Sequence, residues 1–371
     1  MKKLIVCISL LLALAACSSD YSSFSESSVA PIADVQRSIN QNNNLLYTGF
    51  AIMIDDNIYF GDGIGIHRTN ARFENIETLV FNEDYQDAVD RAVFRYLQYY
   101  DGKIYFLHAT QSTINVMDMD GREVTTLVSA SQFESEGILS GFIAINNKIY
   151  FNFFDFSHEG YFLKSFDFST GEIIDFNLLH TPMLSLSPDR SELHFAYDLG
   201  ELTALHLENG DVHSIMPLNF WTLVENSKLF GIIFRTVSDG KIVVAGHGTI
   251  LVITEDGYAE EIYHTGPFNQ NINAIDSWVY FIRISPRIEP RAPRDMHLYR
   301  VKNDGSEVER VFEHIAFMNP GIPQVVLNIF SEDLILFKTS STRHEIFALV
   351  RDDNTGELVM IGVNTTLTQG D

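Results

Sequence analysis

A short apolar segment recurs along this chain at nearly regular intervals, often with a tyrosine at its centre. The copies begin at Ile58, Ile104, Ile149, Leu193, Ile242, Val279 and Leu334. Their mean spacing is 46 residues, and a period of this size is typical of β-propellers and related arrays. The repeat therefore predicts an architecture, although it indicates no activity.

Two turn signals keep the same period as the apolar segment. A polar turn precedes it, as at residues 101–103 and 239–241, and a glycine turn follows it, as at 120–121 and 304–305. Such residue pairs favour the positive φ angles that two-residue hairpins need. Each repeat thus predicts four antiparallel strands joined as two hairpins with a variable loop between them.

The apolar segments lack the polar alternation of half-exposed strands. A blade packed between two neighbours is buried on both faces, which permits continuous apolar strands. Parallel βαβ units would permit them too, but the intervening segments lack a helical period, and only residues 34–39 and 83–91 are helical candidates. We expect these central tyrosines to be core residues: Tyr59, Tyr105, Tyr150 and Tyr280.

The fold prediction is an all-β chain with a single propeller of seven four-stranded blades, and six or eight blades are alternatives. A closed ring of blades removes exposed strand edges. The first unit is irregular, because residues 69–72 stand where a turn glycine is expected. The units span roughly residues 46–80, 95–128, 140–178, 183–216, 228–263, 271–313 and 324–362.

The N-terminal residues indicate export. Lys2 and Lys3 precede an apolar stretch too short to span a bilayer, and small residues then lead to Cys17. This arrangement resembles the lipobox of bacterial lipoproteins, and the alternative is an ordinary secretory signal. The resemblance implies cleavage before Cys17 and its acylation by chains such as palmitate. The protein would then be anchored outside the cytoplasm, at the cell membrane or the outer membrane.

Four segments follow from this organisation. We expect a signal peptide at residues 1–16, a lipidated cysteine and flexible Ser/Asn-rich tether at 17–45, the propeller at 46–362 and a C-terminal tail at 363–371. The mature chain keeps no second cysteine for a disulfide, so its core alone must stabilise it. A domain of about 320 residues can bury a core of that size.

The chain is strongly acidic, with a formal charge of −24 that becomes −26 once Lys2 and Lys3 are removed. This charge argues against nucleic acid as a partner, because nucleic-acid binding needs a basic surface. We favour solubility over an acidic binding surface as the reason for the charge, and we expect a monomer.

Two repeats resemble known propeller blades. Residues 278–281, 297–301 and 303–306 together resemble the YWTD-type blade, and residues 186–195 resemble a TolB-type blade. The resemblance covers most of residues 46–362, but only as a pattern of strands and turns. It implies a propeller fold and protein binding, and it transfers no site residue.

Motifs for metals, nucleotides and catalysis are incomplete. His344 lacks the second histidine of a zinc helix motif, Val116 occupies the first ligand position of a calcium loop, and Ile66 replaces the third glycine of a phosphate loop. Carboxylates are abundant, but a sequence does not supply the separation that a catalytic pair needs. We therefore predict no cofactor, metal or nucleotide and name no catalytic residue.

Two variable loops stand out as candidate partner-binding segments. The loop of the sixth unit carries Arg283, Arg287, Arg291 and Arg294 among three prolines. Arginine suits forked contacts with carboxylate or phosphate, and proline lowers the entropy cost of presenting it. The corresponding loop of the third unit carries Phe154, Phe156 and His158, and its aromatic rings could anchor a protein or a sugar. In the alternatives, the arginines pair with acids of this chain and the rings fold back on neighbouring blades.

Antiparallel four-stranded blades should place both loops on one face of the ring. Our first hypothesis is a non-catalytic, lipid-anchored, extracytoplasmic propeller that binds a protein or a cell-envelope polymer through that face. One alternative is a hydrolase or lyase acting on extracellular glycans or peptides. Another is a scaffold of an envelope assembly complex.

Overall fold

The computed structural model describes residues 49–82, 93–180, 184–196, 202–219, 234–246, 248–254, 256–264, 269–285, 295–317, 325–339 and 346–363. These residues belong to one unit, residues 39–371. They form seven antiparallel four-stranded sheets and a single turn of 3-10 helix at Ala130–Gln132. No helix among them is long and apolar enough to cross a bilayer.

The strands follow one another in order within each blade. Blade 1 consists of β1 (Ala51–Ile54), β2 (Asn57–Gly61), β3 (Gly65–Asn70) and β4 (Glu77–Phe81), and blade 2 consists of β5 (Phe94–Tyr100), β6 (Lys103–His108), β7 (Thr113–Met117) and β8 (Thr125–Ser129). Blade 3 consists of β9 (Gly137–Ile145), β10 (Lys148–Asp155), β11 (Gly160–Asp167) and β12 (Ile173–His180), and blade 4 consists of β13 (Leu184–Leu186), β14 (Glu192–Ala196), β15 (Leu202–His206) and β16 (Val212–Ser214). Blade 5 consists of β17 (Phe234–Ser238), β18 (Lys241–Gly246), β19 (Thr249–Ile253) and β20 (Ala259–His264). Blade 6 consists of β21 (Asn269–Ile275), β22 (Trp278–Ile284), β23 (Asp295–Lys302) and β24 (Val308–Phe317). Blade 7 consists of β25 (Val325–Ser331), β26 (Leu334–Thr339), β27 (Ile346–Arg351) and β28 (Leu358–Val363).

The blades form a closed ring, which confirms the prediction of a seven-bladed propeller. The first strand β5 lies beside the first strands of both neighbouring blades, β1 and β9, and β25 lies beside β1 where the two ends of the propeller meet. The irregular first repeat is also a full blade, in which β1 to β4 pair in order. Residues 34–39 and 83–91, the helical candidates, lie outside the described residues.

The tight turns between first and second strands have the predicted backbone. Asn146 and Asn147 have φ values of 49° and 60°, and Asp101 and Gly102 have 48° and 75°. Two consecutive residues of positive φ match the right-handed twist of the strands in a two-residue hairpin. Asparagine, aspartate and glycine tolerate this conformation better than other residues, which is why these turns recur at the same place.

The core lies between blades, and we call each packed boundary between two blades a seam. Side chains alternate between the two faces of a strand. In β10, Ile149 and Phe151 therefore pack in the seam with blade 2, whereas Tyr150 packs in the seam with blade 4. Both seams are apolar, which explains why the recurring segment has no polar alternation. The central tyrosines are buried as predicted: Tyr59, Tyr105, Tyr150 and Tyr280.

Candidate functional site

The loops of all seven blades are divided between two faces of the ring. Because each blade is antiparallel and ordered in the same way, connections from second to third strands share one face with those that lead to the next blade. We call this the loop face and the opposite one the turn face. Phe154 and Arg283 lie near the ends of the second strands β10 and β22, so both belong to the loop face. They are three blades apart and form separate sites.

Only the beginning of the predicted arginine loop lies within the described residues. Arg283 is exposed, and its guanidinium carbon lies 5.8 Å from the centre of the Tyr299 ring. This distance is compatible with a cation–π contact. Arg287, Arg291 and Arg294 lie outside the described residues, as does Cys17, so docking by this loop and acylation of the cysteine stay predictions.

Arginines elsewhere pair with acids of this chain across the seams. Arg68 contacts Glu77 in its own blade at 2.7 Å and Asp120 of blade 2 at 2.9 Å. Arg300 similarly contacts Glu309 and, in blade 7, Glu332. Both arginines lie opposite a buried central tyrosine in the strand register. These pairs therefore tie neighbouring blades together, and neither belongs to the predicted docking loop.

The aromatic loop of blade 3 forms a compact group of rings at the loop face. The centre of the Phe154 ring lies 4.7 Å from that of Tyr161 and 5.6 Å from that of Phe156. Ile138 lies directly opposite Phe154 in the sheet. Phe156 is 52% exposed and Ile138 is 41% exposed. We call Ile138, Phe154, Phe156 and Tyr161 the aromatic rim.

The rim stands at the end of an unusually long blade. The strands of blade 3 have eight or nine residues, whereas those of blade 4 have three or five. Ile138, Phe154 and Tyr161 share the side of blade 3 that faces blade 4, because they pair directly across the strands. The difference in strand length explains how large apolar side chains near the tips of the longer strands reach solvent.

A hydrogen-bonded turn holds the rim in place. Asp155 Oδ1 accepts from the backbone N–H groups of Ser157 and His158 at 2.7 and 3.3 Å, and its Oδ2 lies 3.0 Å from His158 Nδ1. The backbone N–H of Phe156 donates to the carbonyl oxygen of Glu136 at 3.0 Å. Phe156 is thus fixed on both sides, while its ring stays exposed.

Electrostatics support the same turn. Burial raises the pKa of the Asp155 carboxyl, but hydrogen bonds from His158, Ser135 and the turn amides outweigh this effect and lower the pKa to about 2. The carboxylate is therefore ionised throughout the ordinary pH range and continues to accept these hydrogen bonds. His158 lies on the exposed side of the turn, and its ring centre is 5.9 Å from that of Phe162.

Sequence reasoning found Phe154, Phe156 and His158 but missed Ile138 and Tyr161. The signal that could have found them is the hairpin register. Tyr161 pairs with Phe154 across β10 and β11, and Ile138 pairs with it across β9 and β10. The bulge between Asn152 and Phe153 shifts the second pairing by one residue, so counting from the turn alone would misplace Ile138.

The rim offers contact surface and shows no catalytic arrangement. Rigid exposed rings can anchor a partner by burying apolar area at low entropy cost. Among the described residues, no three histidine, cysteine, aspartate or glutamate side chains are placed to hold a metal ion.

A cleft lies on the turn face beside blade 5. Its volume is about 940 Å³, and its lining includes the carboxylates of Asp239, Asp256, Glu260, Glu261 and Asp304. Hydrogen bonds from Thr254 and Ser306 hold the pKa values of Asp256 and Asp304, respectively, below the usual range. These two carboxylates serve the turns that contain them, and the cleft adds to the acidic surface without forming a defined site.

Comparison with known proteins supports the fold. No family model and no curated protein matches the sequence. The structure is similar to oligogalacturonate lyase from Vibrio parahaemolyticus, with 13% identity over 82% of this chain and 87% of that chain and a TM-score of 0.52. It also matches the CNH domain of AfRom2, with 12% identity over 85% of this chain and 94% of that chain and a TM-score of 0.49. TolB from Acinetobacter baumannii matches with 13% identity over 70% of this chain and 60% of that chain and a TM-score of 0.42. At these identities, the similarity shows the β-propeller fold alone.

Proposed function

We propose that this protein is a non-catalytic β-propeller, anchored outside the cytoplasm through Cys17, that binds another protein through its loop face. The observation that carries this proposal is the aromatic rim. Three rings and an aliphatic side chain stand together at the end of blade 3, and a hydrogen-bonded turn fixes the backbone of Phe156, which carries the most exposed ring. Contiguous exposed apolar groups, unlike scattered single ones, are typical of protein interaction surfaces.

The rigidity of the turn favours binding. Association requires interface side chains to become ordered, and each flexible one costs roughly 0.5–1.5 kcal/mol. The turn of Asp155 and the backbone bond of Phe156 order the backbone that carries the ring before a partner arrives. Most of the contact area is then available without further ordering.

The composition of the rim favours a protein over an envelope polymer. Ile138 flanks the rings and adds aliphatic surface, which suits the apolar side chains of a protein. Sugar recognition needs polar groups beside the ring to bind hydroxyls. The carboxylate of Asp155, between Phe154 and Phe156 in the chain, already accepts from Ser157 and His158.

In-cell crosslinking of the full lipoprotein tests the binding role. We expect a reproducible crosslinked protein with the natural chain and at least a tenfold lower yield with Phe156→Ala, because central aromatic contacts typically contribute 2 kcal/mol or more. Tyr258→Ala is the matched control, since Tyr258 is 47% exposed at a turn between third and fourth strands. Equal yields from both variants would exclude the rim as the contact. Retention on purified cell-wall polymer instead of a protein would assign the rim to a polymer.

Two further variants test the remaining parts of the proposal. Cys17→Ser should move the protein from the membrane fraction to the soluble fraction, because the acylation site is lost. The double variant Arg287→Glu/Arg291→Glu tests the arginine loop. Wild-type crosslinking by this variant would remove the loop from the interface and leave the aromatic rim as the binding element.

A further inference from the structure

The hydrogen-bonded ladder of blade 3 continues one step beyond its last paired residues and brings a glutamate beside the most exposed ring. Phe154 of β10 pairs with Ile138 of β9. Two residues further along, the backbone N–H of Phe156 donates to the carbonyl oxygen of Glu136 at 3.0 Å. Glu136 therefore lies opposite Phe156, just as Ile138 lies opposite Phe154.

Glu136 shares the side of the sheet that carries the aromatic rim. Alternate residues of a strand point to the same face, so Glu136 follows Ile138 and Phe156 follows Phe154. The distance of 5.6 Å between the two phenylalanine ring centres agrees with this arrangement. Side chains directly opposite each other on one face are neighbours. The exposed Glu136 side chain thus borders the exposed ring of Phe156.

A second glutamate flanks the rim from the turn between β10 and β11. Glu159 is exposed, has a φ of 51° and lies two residues before Tyr161, the third ring of the rim. Among the described residues, the ion pairs of blade 3 use three other acids: Asp155, Asp167 and Asp175. Neither Glu136 nor Glu159 has a cationic partner within that part of the chain.

We propose that the protein bound at the aromatic rim presents an apolar pocket bordered by a lysine or arginine. The pocket receives the Phe156 ring, and the cation pairs with Glu136 and Glu159. This inference rests on the proposed function and specifies the chemistry of its partner. A partner that covers the ring also removes water from the adjacent carboxylates, and without a cation it would leave these acceptors unpaired. Complementary charge at the edge of an interface also speeds association and excludes wrong partners.

The same carboxylates disfavour other occupants of the rim. An anionic bilayer surface or an anionic cell-wall polymer is repelled by negative groups beside the ring. A second copy of this chain brings a formal charge of −24, so two copies repel each other as they approach. A different protein with a basic residue beside an apolar pocket meets no such repulsion.

Photo-crosslinking in isolated cell envelopes, where the salt concentration can be set, tests the proposal. Benzoylphenylalanine replaces Ser157, an exposed residue of the turn, and its reaction does not depend on charged groups. We expect Glu136→Lys to lower the yield of the crosslinked protein about tenfold at low salt, because like charges then face each other. The matched control is Glu172→Lys, since Glu172 is exposed on the turn face of the same blade, between β11 and β12. It should leave the yield unchanged.

Salt provides a second readout of the charge contact. Raising the salt to about 0.5 M should lower the yield of the natural protein and raise that of Glu136→Lys, because screening weakens attraction and repulsion alike. Glu159→Lys should shift both yields in the same directions as Glu136→Lys. A salt-independent yield of the natural protein would overturn the proposal.

The remaining outcomes separate this inference from the proposed function. Equal yields from Glu136→Lys and Glu172→Lys would overturn the partner chemistry, and the proposed function would survive if Phe156→Ala still lowers the yield. No effect of Phe156→Ala would remove both. A crosslinked product of twice the mass of this chain would assign the rim to self-association and contradict the proposal. Phe156-dependent binding of Cys17→Ser to phosphatidylglycerol vesicles would contradict it too, by assigning the rim to the membrane.

Discussion

The seam between blades 7 and 1 joins the two ends of the propeller, whereas the seam between blades 4 and 5 lies between blades that follow each other in the chain. Among the described residues, the closing seam buries Phe50, Ala51, Ile58, Phe60, Leu334, Leu336, Ile346, Ala348 and Val363. The seam between blades 4 and 5 buries Leu202, Val244, Leu251 and Ala259. Among the described residues of these two seams, only the closing seam contains buried aromatic rings, Phe50 and Phe60.

Among the described strands, none is exchanged at the closing seam. Blade 1 consists of β1 to β4 and blade 7 of β25 to β28, so each blade comes from one end of the propeller. Consecutive blades are held near each other by the chain, which keeps their effective concentration high. The first and last blades have no such connection, and side-chain packing together with polar bridges must hold them. The closing seam is packed in the same way as seams between consecutive blades, such as that between blades 6 and 7, which buries Trp278, Tyr280 and Phe337.

The largest effect should come from removing an aromatic ring from the closing seam. Phe60→Ala should lower the free energy of unfolding by about 3–5 kcal/mol, because a fully buried phenyl ring is replaced by a cavity. Val244→Ala, at the seam between blades 4 and 5, should cost about 2 kcal/mol. Urea-induced unfolding measures both. Equal losses would show that the two seams contribute alike.

The second effect concerns the charge of Lys338 in the closing seam. Its pKa is lowered from 10.5 to about 8 on folding, so the unfolded chain binds more protons between these values. The free energy of unfolding of the natural protein, relative to Lys338→Met, should therefore rise with pH from 8 to 10.5, by up to about 3 kcal/mol. Parallel pH profiles for the two proteins would show that the lysine is not desolvated.

A smaller effect should come from the amide bridge across the closing seam. Asn328 Oδ1 accepts from the backbone N–H of Ala51 at 3.0 Å, and both residues are buried. Asn328→Ala leaves this N–H without its acceptor, which should cost about 1–3 kcal/mol.

Gln98 provides the matched comparison, since it accepts from the backbone N–H of Ala144 at 2.8 Å between blades 2 and 3. Hydrogen exchange should distinguish the two variants. Asn328→Ala should expose amides of β1 and β25 first, whereas Gln98→Ala should leave them protected. Identical exchange patterns would mean that ring closure does not depend on this bridge.

The smallest effect should come from a surface ion pair between blades 1 and 7. Arg72 Nη2 lies 3.1 Å from Asp353 Oδ2, and both side chains are largely exposed. Arg72→Ala should change the free energy of unfolding by less than about 0.5 kcal/mol, because water and salt screen exposed pairs. A loss above 1 kcal/mol at moderate salt would show that this pair belongs to the closure itself.

The candidate site was only partly predictable. Phe154, Phe156 and His158 stand out in the sequence because they are clustered aromatic residues in a variable loop. Tyr161 and Ile138 join them through strand register and a bulge, which depend on hydrogen bonds between separate strands. Lys338 gave no signal, because a lysine that ends an apolar strand usually reaches solvent. Its burial depends on Gly61 and Phe50, which lie almost three hundred residues away.

By itself, the sequence determined the class of fold, the number of blades and the position of the hairpins in each blade. These properties depend on turn chemistry and on the period of apolar residues, and both act over short distances along the chain. The tertiary structure decided which seam each face of a strand enters, how blades 1 and 7 meet without exchanging a strand, and which polar groups are buried there. Those outcomes depend on contacts between distant residues, and a single sequence does not state which distant residues meet.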